Sequence, residues 1–222
     1  MVLTKIDARS DSDVSQAMGE LKKQHGIDRL DVVIANAGIF TPTAYQKIGG
    51  LDLNGLRTHI DVNAYSVVRL FQGVWPLLSK SSKPIFLLNS AGAATLGGMK
   101  TFAHFPLNSY AASKVLANFV VMRLHFEYPE LIAFAVHPGS VVTQNRTEAA
   151  KMLGVEVEGS SIEECVTGMT QLVSSHPLQS CNRRKSAIGL NRTVLTSVKL
   201  DRASPTTSSG TFVNIDGTPI PW

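Results

Sequence analysis

At 222 residues, 44% hydrophobic and 17% charged, the chain has the length and make-up of one globular domain with a full apolar core, not of a disordered segment. No apolar run approaches the roughly 18 residues of a membrane span, the opening stretch Met1 to Asp7 lacks the apolar core of a secretory signal, and the two cysteines form no disulfide framework or metal-ligand spacing. On these grounds the chain reads as cytoplasmic. The net charge of +4 is local, since residues 181–202 carry six basic side chains against Asp201; the other 200 residues stand at −1, so the charge says little about the domain and makes no case for nucleic acid as a partner. In chain order, residues 2–6 are a short apolar run that stops at Asp7. Asp11 or Ser12 can cap a helix in which Val14, Met18 and Leu21 recur at helical spacing. Residues 30–35 are a buried-strand candidate ending at Asn36-Ala37-Gly38. A long helix follows, with Ile60, Val67, Leu70, Val74 and Leu78 on one stripe. Residues 85–88 are a second strand, ending at Asn89-Ser90. Residues 110–127 are helical, with Val115, Phe119, Met122 and Phe126 expected to face inward. Residues 131–136 form a strand ending at His137-Pro138-Gly139, 161–173 a helix, and 211–215 a last strand.

Strands that are apolar throughout and alternate with helices define an α/β fold, a doubly wound parallel sheet covered on both faces. Ligands of such sheets bind in the crevice outside the carboxyl ends of the strands. Asp7, Asn36, Ser90 and Pro138 stand at four such ends.

Tyr110 and Lys114 lie at i and i+4, on one helix face. A phenol titrates near ~10, too high for a good acid or base at neutral pH. A lysine cation one turn away favours the phenolate and is expected to draw that pKa toward the working range. Ser90 can hydrogen-bond a substrate carbonyl, and the Asn63 side chain can hold a water that relays protons to the lysine. Read alone, the Tyr/Lys pair is as well explained by a solvated helix face. It gains meaning from company: Asn36-Ala37-Gly38, Val62-Asn63, Ser90, the pair itself and Pro138-Gly139-x-Val141-x-Thr143 follow one another in a single order.

That series resembles the short-chain dehydrogenase/reductase family over residues 1–173 and again over 210–222. The resemblance implies a Rossmann-type fold and NAD(P)-dependent chemistry on a small-molecule ketone or alcohol. It implies Tyr110 as general acid, Lys114 as its tuner and a ribose ligand, Ser90 as orienter of the carbonyl and Asn63 as holder of the relay water. Asp7 and Ala8 resemble adenine contacts. Asn36, Ala37 and Gly38 would line the adenosine ribose, and Pro138, Val141 and Thr143 the nicotinamide carboxamide. Each has a plainer reading: Gly38 as a tight turn, Asn36 as a hydrogen bonder between strands, Asp7 as a helix cap, Pro138-Gly139 as a strand exit. His104 and His137 near the site read as packing residues. The ending Asp216-Gly217-Thr218-Pro219-Ile220-Pro221-Trp222 is similar to fungal ketoreductases of the norsolorinic acid reductase type. This narrower likeness implies NADPH, with NAD as the alternative, a lipophilic or polyketide-derived ketone, and residues 144–160 as a substrate lid. The family also implies a homodimer or homotetramer built through helices 60–78 and 110–127.

Three features depart from the family pattern. No Gly-x-x-x-Gly-x-Gly sequence, which in the family receives the cofactor pyrophosphate at a helix N-terminus, occurs in the chain. The expectation is therefore an N-terminally truncated sheet without strands 1 and 2, in which residues 2–6 pair directly with 30–35 or are poorly ordered. Residues 174–209 are basic, rich in Ser and Thr and without helical period; they read as an atypical insertion, either a gene-model artefact or a partner-binding loop. The interval from Ser90 to Tyr110 is longer than usual and is expected to shape the substrate entrance. A second reading, an inactive remnant or pseudoenzyme that keeps the scaffold for protein association, rests on the missing glycine-rich loop.

Overall fold

The computed structural model describes residues 1–144, 147, 148, 150, 156, 159–173, 189, 190, 193–195 and 209–222. Helix α1 (Asp13–His25) starts in a small polar knot. Ser10 Oγ accepts from Asp13 N at 3.2 Å, Asp7 N donates to Asp13 Oδ2, and the cap residue Ser12 makes no side-chain cap bond. Gly26, in the left-handed region at φ 63°, ends the helix. Val14, Ala17, Met18 and Leu21 form its buried stripe, so the helical spacing in the sequence marks the correct face.

Strand β1 (Val32–Ala35) leads to helix α2 (Leu53–Ile60), one π-helical turn (Asp61–Tyr65) and helix α3 (Ser66–Leu78), which together occupy the long predicted helix and extend it toward the N-terminus. Asp52 caps α2, accepting from Asn54 N and Gly55 N. Strand β2 (Ile85–Asn89), the short helix α4 (Met99–Phe102), helix α5 (Asn108–Glu127), strand β3 (Ile132–His137) and helix α6 (Ile162–Val173) follow. Strands β4 (Gly189–Leu190), β5 (Thr193–Leu195) and β6 (Phe212–Asn214) complete the described elements.

The sheet order is β4-β5-β1-β2-β3-β6. Strands β1, β2, β3 and β6 run parallel. Side chains alternate across the sheet with period two. Phe86 and Leu88 of β2 join the larger core under α1, α3 and α5, while Ile85 and Leu87 face the smaller core with Cys165, Met169 and Val173 of α6. Both faces are thus covered, as the unbroken apolar strands require.

Two expectations fail here. Residues 2–6 form no strand and do not pair with β1. Instead Ile6 is buried in the larger core and Thr4 Oγ1 donates to Glu20 Oε2 of α1 at 3.0 Å. The edge of β1 expected to receive residues 2–6 is paired antiparallel with β5, Ile34 opposite Val194, and β4 pairs in turn with β5. An exposed row of strand amides is a strong demand for a partner, and the 174–209 stretch supplies it. Most of that stretch, and most of the proposed lid at 144–160, lies outside the described residues.

The third failure concerns α5. Phe119 and Phe126, expected inside, are 60% and 63% exposed, and the buried face carries Ser109, Ser113, Lys114, Ala117, Asn118, Val121 and Leu124. The inner face of this helix is partly polar, so the most apolar stripe is not the inner one.

Candidate active site

The carboxyl ends of β1, β2 and β3 and the N-terminal half of α5 converge on one place. Tyr110, Lys114 and Asn118 share a face of α5 at four-residue spacing. Lys114 is 4% exposed, and its Nζ donates to the carbonyl of Asn89, the last residue of β2, at 2.7 Å. The ammonium stands 5.9 Å from the centroid of the Tyr110 ring. Phe40, in the loop after β1, meets the Tyr110 ring edge-to-face at 4.8 Å and meets Tyr45 likewise at 5.0 Å.

These surroundings set the acidities, and not in the sense the Tyr/Lys spacing suggests. Burial, followed by the neighbouring Tyr45, pushes the Tyr110 phenol up to about 12. Burial pulls Lys114 down to about 8. With Nζ turned onto Asn89 O, loss of water outweighs the cation's pull on the phenol. The phenol consequently holds its proton at every physiological pH, the state a general acid needs.

Asn63 is fully buried within the π-helical turn. Its Oδ1 accepts from Ile39 N at 2.7 Å, and its Nδ2 donates to Ile39 O at 3.0 Å and to Ser113 Oγ at 2.9 Å. Ser113 Oγ donates on to Tyr110 O at 2.7 Å. Both amide protons are thereby committed to clamping the β1 loop against α5, which leaves only a second lone pair of Oδ1 for a relay water. π-Turns widen a helix locally and often occur at functional positions; this one faces Asn63 toward the loop. Gly38 lies under the same cluster. A Cβ there would stand 3.1 Å from Asn63 Oδ1 and 3.5 Å from Lys114 Nζ, so close approach, and not an unusual φ, favours glycine.

Asn36 does act between strands, accepting from Asn89 Nδ2 at 2.7 Å. Ala37 continues that loop toward Gly38. Ser90 is 3% exposed, with its N donating to Val136 O and its hydroxyl to Asn118 Oδ1 at 2.6 Å. Asp7 and Ala8 lie apart, at the N-terminus of α1. The Asp7 carboxylate accepts from Arg9 N at 2.9 Å, which, with the Arg9 side chain, lowers its pKa, so it shapes its own turn and does not cap the helix. Arg69 of α3 donates to Ala8 O at 3.1 Å and pairs with Asp61 at 2.8 Å, tying that turn down. Pro138 follows β3, and Gly139 takes φ 77°. Val141 is bridged to Ser160, and Thr143 O accepts from Thr147 N at 2.9 Å.

The long Ser90–Tyr110 interval is braced from an unforeseen direction. The C-terminal strand turns at Asp216-Gly217, Gly217 adopting φ 86°, and runs back antiparallel, Ile220 N donating to Phe212 O. Thr95 Oγ1 then donates to Pro221 O at 2.5 Å and Gly97 N to Trp222 O at 2.8 Å. His104 lies against Phe105, and His137 presses on Gly92, where a Cβ would stand 3.0 Å from Nε2. Sequence reasoning missed Ser113, Asn118, Phe40 and Tyr45. Asn118 leaves one trace, a lone amide in the apolar run 115–122 at i+8 from Tyr110; the aromatic pair leaves none.

The short chain dehydrogenase family profile matches residues 1–154. The norsolorinic acid ketoreductase of Emericella nidulans is 32% identical over 223 residues, covering 100% of this chain and 74% of that protein. A short chain dehydrogenase of Penicillium aethiopicum is also 32% identical, over 228 residues, covering 100% of this chain and 79% of that protein. Among solved structures, the NADPH-bound carbonyl reductase from chicken fatty liver superposes with a TM-score of 0.72 at 19% identity, covering 98% of this chain and 75% of that one. The chain belongs to the short-chain dehydrogenase/reductase family of NAD(P)-dependent oxidoreductases. No helix among the described residues is long and apolar enough to cross a membrane.

Proposed function

We propose that the chain reduces a ketone with NADPH, with Tyr110 as the proton donor, in the cytoplasm. The observation that carries this reading is the Tyr110–Lys114 face of α5 at the carboxyl ends of β1 and β2, where the buried Lys114, its Nζ on Asn89 O, lies one turn from the phenol. The residues present fit the nicotinamide-ribose end of the cofactor. Lys114 Nζ gives one of its three protons to Asn89 O, Gly38 holds the backbone close beside it, and Asn89 Oδ1 is a buried acceptor without a partner among the described residues. Pro138, Val141 and Thr143 would hold the carboxamide, and Asn36, Ala37 and Gly38 the adenosine ribose, with Asp7 and Ala8 beside the adenine. When bound, the cofactor supplies the hydride.

Tyr110 donates its proton to the carbonyl oxygen as negative charge develops there, and Ser90 hydrogen-bonds the same oxygen. Lys114 holds the ribose, and the cation then stabilises the phenolate left behind. Asn63 keeps the β1 loop in register with α5 and offers its remaining lone pair to the relay water. The edge-on Tyr45–Phe40–Tyr110 cluster favours a flat aromatic ketone. The preference for NADPH over NAD and the polyketide-like substrate draw support from the norsolorinic acid ketoreductases and from the NADPH bound to the chicken carbonyl reductase. The test is oxidation of NADPH on addition of an aromatic ketone to the purified chain; strict dependence on the ketone is expected, and its absence at millimolar NADPH would contradict the reading.

We infer, too, that two copies associate through α3 and α5, because Phe119 and Phe126 put exposed apolar surface on the outer face of α5. Light scattering on a Phe119→Ser/Phe126→Ser double variant should show a fall to monomer; a wild type that is already monomeric refutes the pairing.

A further inference from the structure

The hydroxyl of Ser90 and the carboxamide of Asn118 form a buried pair whose polarity, as it stands, works against the role of Ser90. Each residue is 3% exposed. The hydroxyl donates to Asn118 Oδ1 at 2.6 Å, while Asn118 Nδ2, shielded from solvent, has no acceptor among the described residues. Leaving amide protons buried and unpaired is costly. The two ends of a carboxamide have nearly the same shape, so turning it over about its last bond changes the chemistry and hardly the packing. In the turned state Nδ2 donates to Ser90 Oγ. One of the two stranded amide protons gains a partner, Oδ1 gives up the serine's proton, and that proton is released for another acceptor. The neighbours of Asn118 on the inner face of α5, Ala117 and Val121, are apolar and give no packing reason for an amide.

We propose that Asn118 is a positioning residue for Ser90: its amide donates to Ser90 Oγ and so turns the hydroxyl proton toward the substrate carbonyl. This rests on the reading of Ser90 given above. The backbone of Ser90 is fixed by its own bond to Val136 O, so the hydroxyl is the free variable that Asn118 controls. A serine that spends its proton on an acceptor cannot offer it to a ketone; a serine that accepts from an amide must point its proton elsewhere.

Two measurements on the full chain decide the matter. In the nitrogen-15 spectrum, the Asn118 side-chain amide, assigned by its loss in Asn118→Leu, should shift on Ser90→Ala because a donated hydrogen bond has gone. An amide resonance indifferent to Ser90→Ala overturns the orientation, and this readout needs no turnover. In kinetics with an aromatic ketone, Asn118→Asp, whose carboxylate can only accept, should capture the serine proton and lower kcat by about 10²-fold, with the ketone KM little changed. In the Ser90→Ala background the same substitution should cost less than about twofold. Equal losses in both backgrounds mean a purely structural residue and overturn the proposal. If Asn118→Asp does not fold, Asn118→Leu takes its place with the same contrast between backgrounds. A wild type that never reduces a ketone removes the reading of Ser90, while the amide shift still reports whether the pair is oriented as stated.

Discussion

Burying the ammonium of Lys114 carries an energetic cost that pH exposes. Its folded pKa, about 8, lies below the ordinary 10.5, so the charge penalises folding below pH 8. That penalty is relieved as pH rises from 8 toward 10.5, where the unfolded chain binds the extra proton. Replacing Lys114 with Met removes the charge and leaves Asn89 O without its donor. The stability of Lys114→Met relative to wild type should therefore be most favourable at pH 7 and decline by as much as about 3 kcal/mol by pH 10.5. Paired urea melts at the two pH values check this, and a difference independent of pH would show the lysine to be solvated. The residues themselves were legible in part: Tyr110 and Lys114 share one helix face as their i, i+4 spacing implied, while the approach of Gly38 to Lys114 was not legible. Their couplings were not. The spacing of Tyr110 and Lys114 says nothing of the desolvation that drives the two pKa values apart. The clamp of Asn63 on Ile39 joins positions 24 residues apart and is a backbone contact, invisible in side-chain pattern.

At the scale of elements, periodicity located the inner face of α1 and α3 and failed on α5. The difference is chemical. Helices α1 and α3 only pack, so their inner stripe is apolar; α5 must present Ser113, Lys114 and Asn118 to the site, which puts its large aromatics outside. Helices α1 and α3 cross at Gly73, where a Cβ would stand 2.7 Å from Val14 Cβ and 3.2 Å from Ser15 N. Gly73→Ala should cost ~1–3 kcal/mol despite alanine's better helix propensity, because α1 must move outward. Thermal denaturation reads this directly, and an unchanged or raised midpoint would show that the crossing has slack.

For the whole molecule, the parallel sense of β1, β2, β3 and β6 followed from apolar strands alternating with helices, whereas the antiparallel strand on β1 did not. Residues 193–195 lie in a basic, Ser/Thr-rich stretch, and strand pairing uses backbone groups that such composition neither demands nor forbids. The N-terminal run fails for a related reason: Ile6 and, in part, Val2 are needed as packing in the larger core with α1, while Leu3 stays exposed. The function proposed for the molecule turns on the Tyr110 phenol giving its proton to a ketone. Ketone-dependent NADPH oxidation at saturating nucleotide, by wild type and by Tyr110→Phe, measures that step, with nucleotide affinity followed alongside. Phe is expected to leave the affinity in place and to lower kcat by about 10²–10⁴-fold; a Phe variant that turns over as fast as wild type would contradict the assignment.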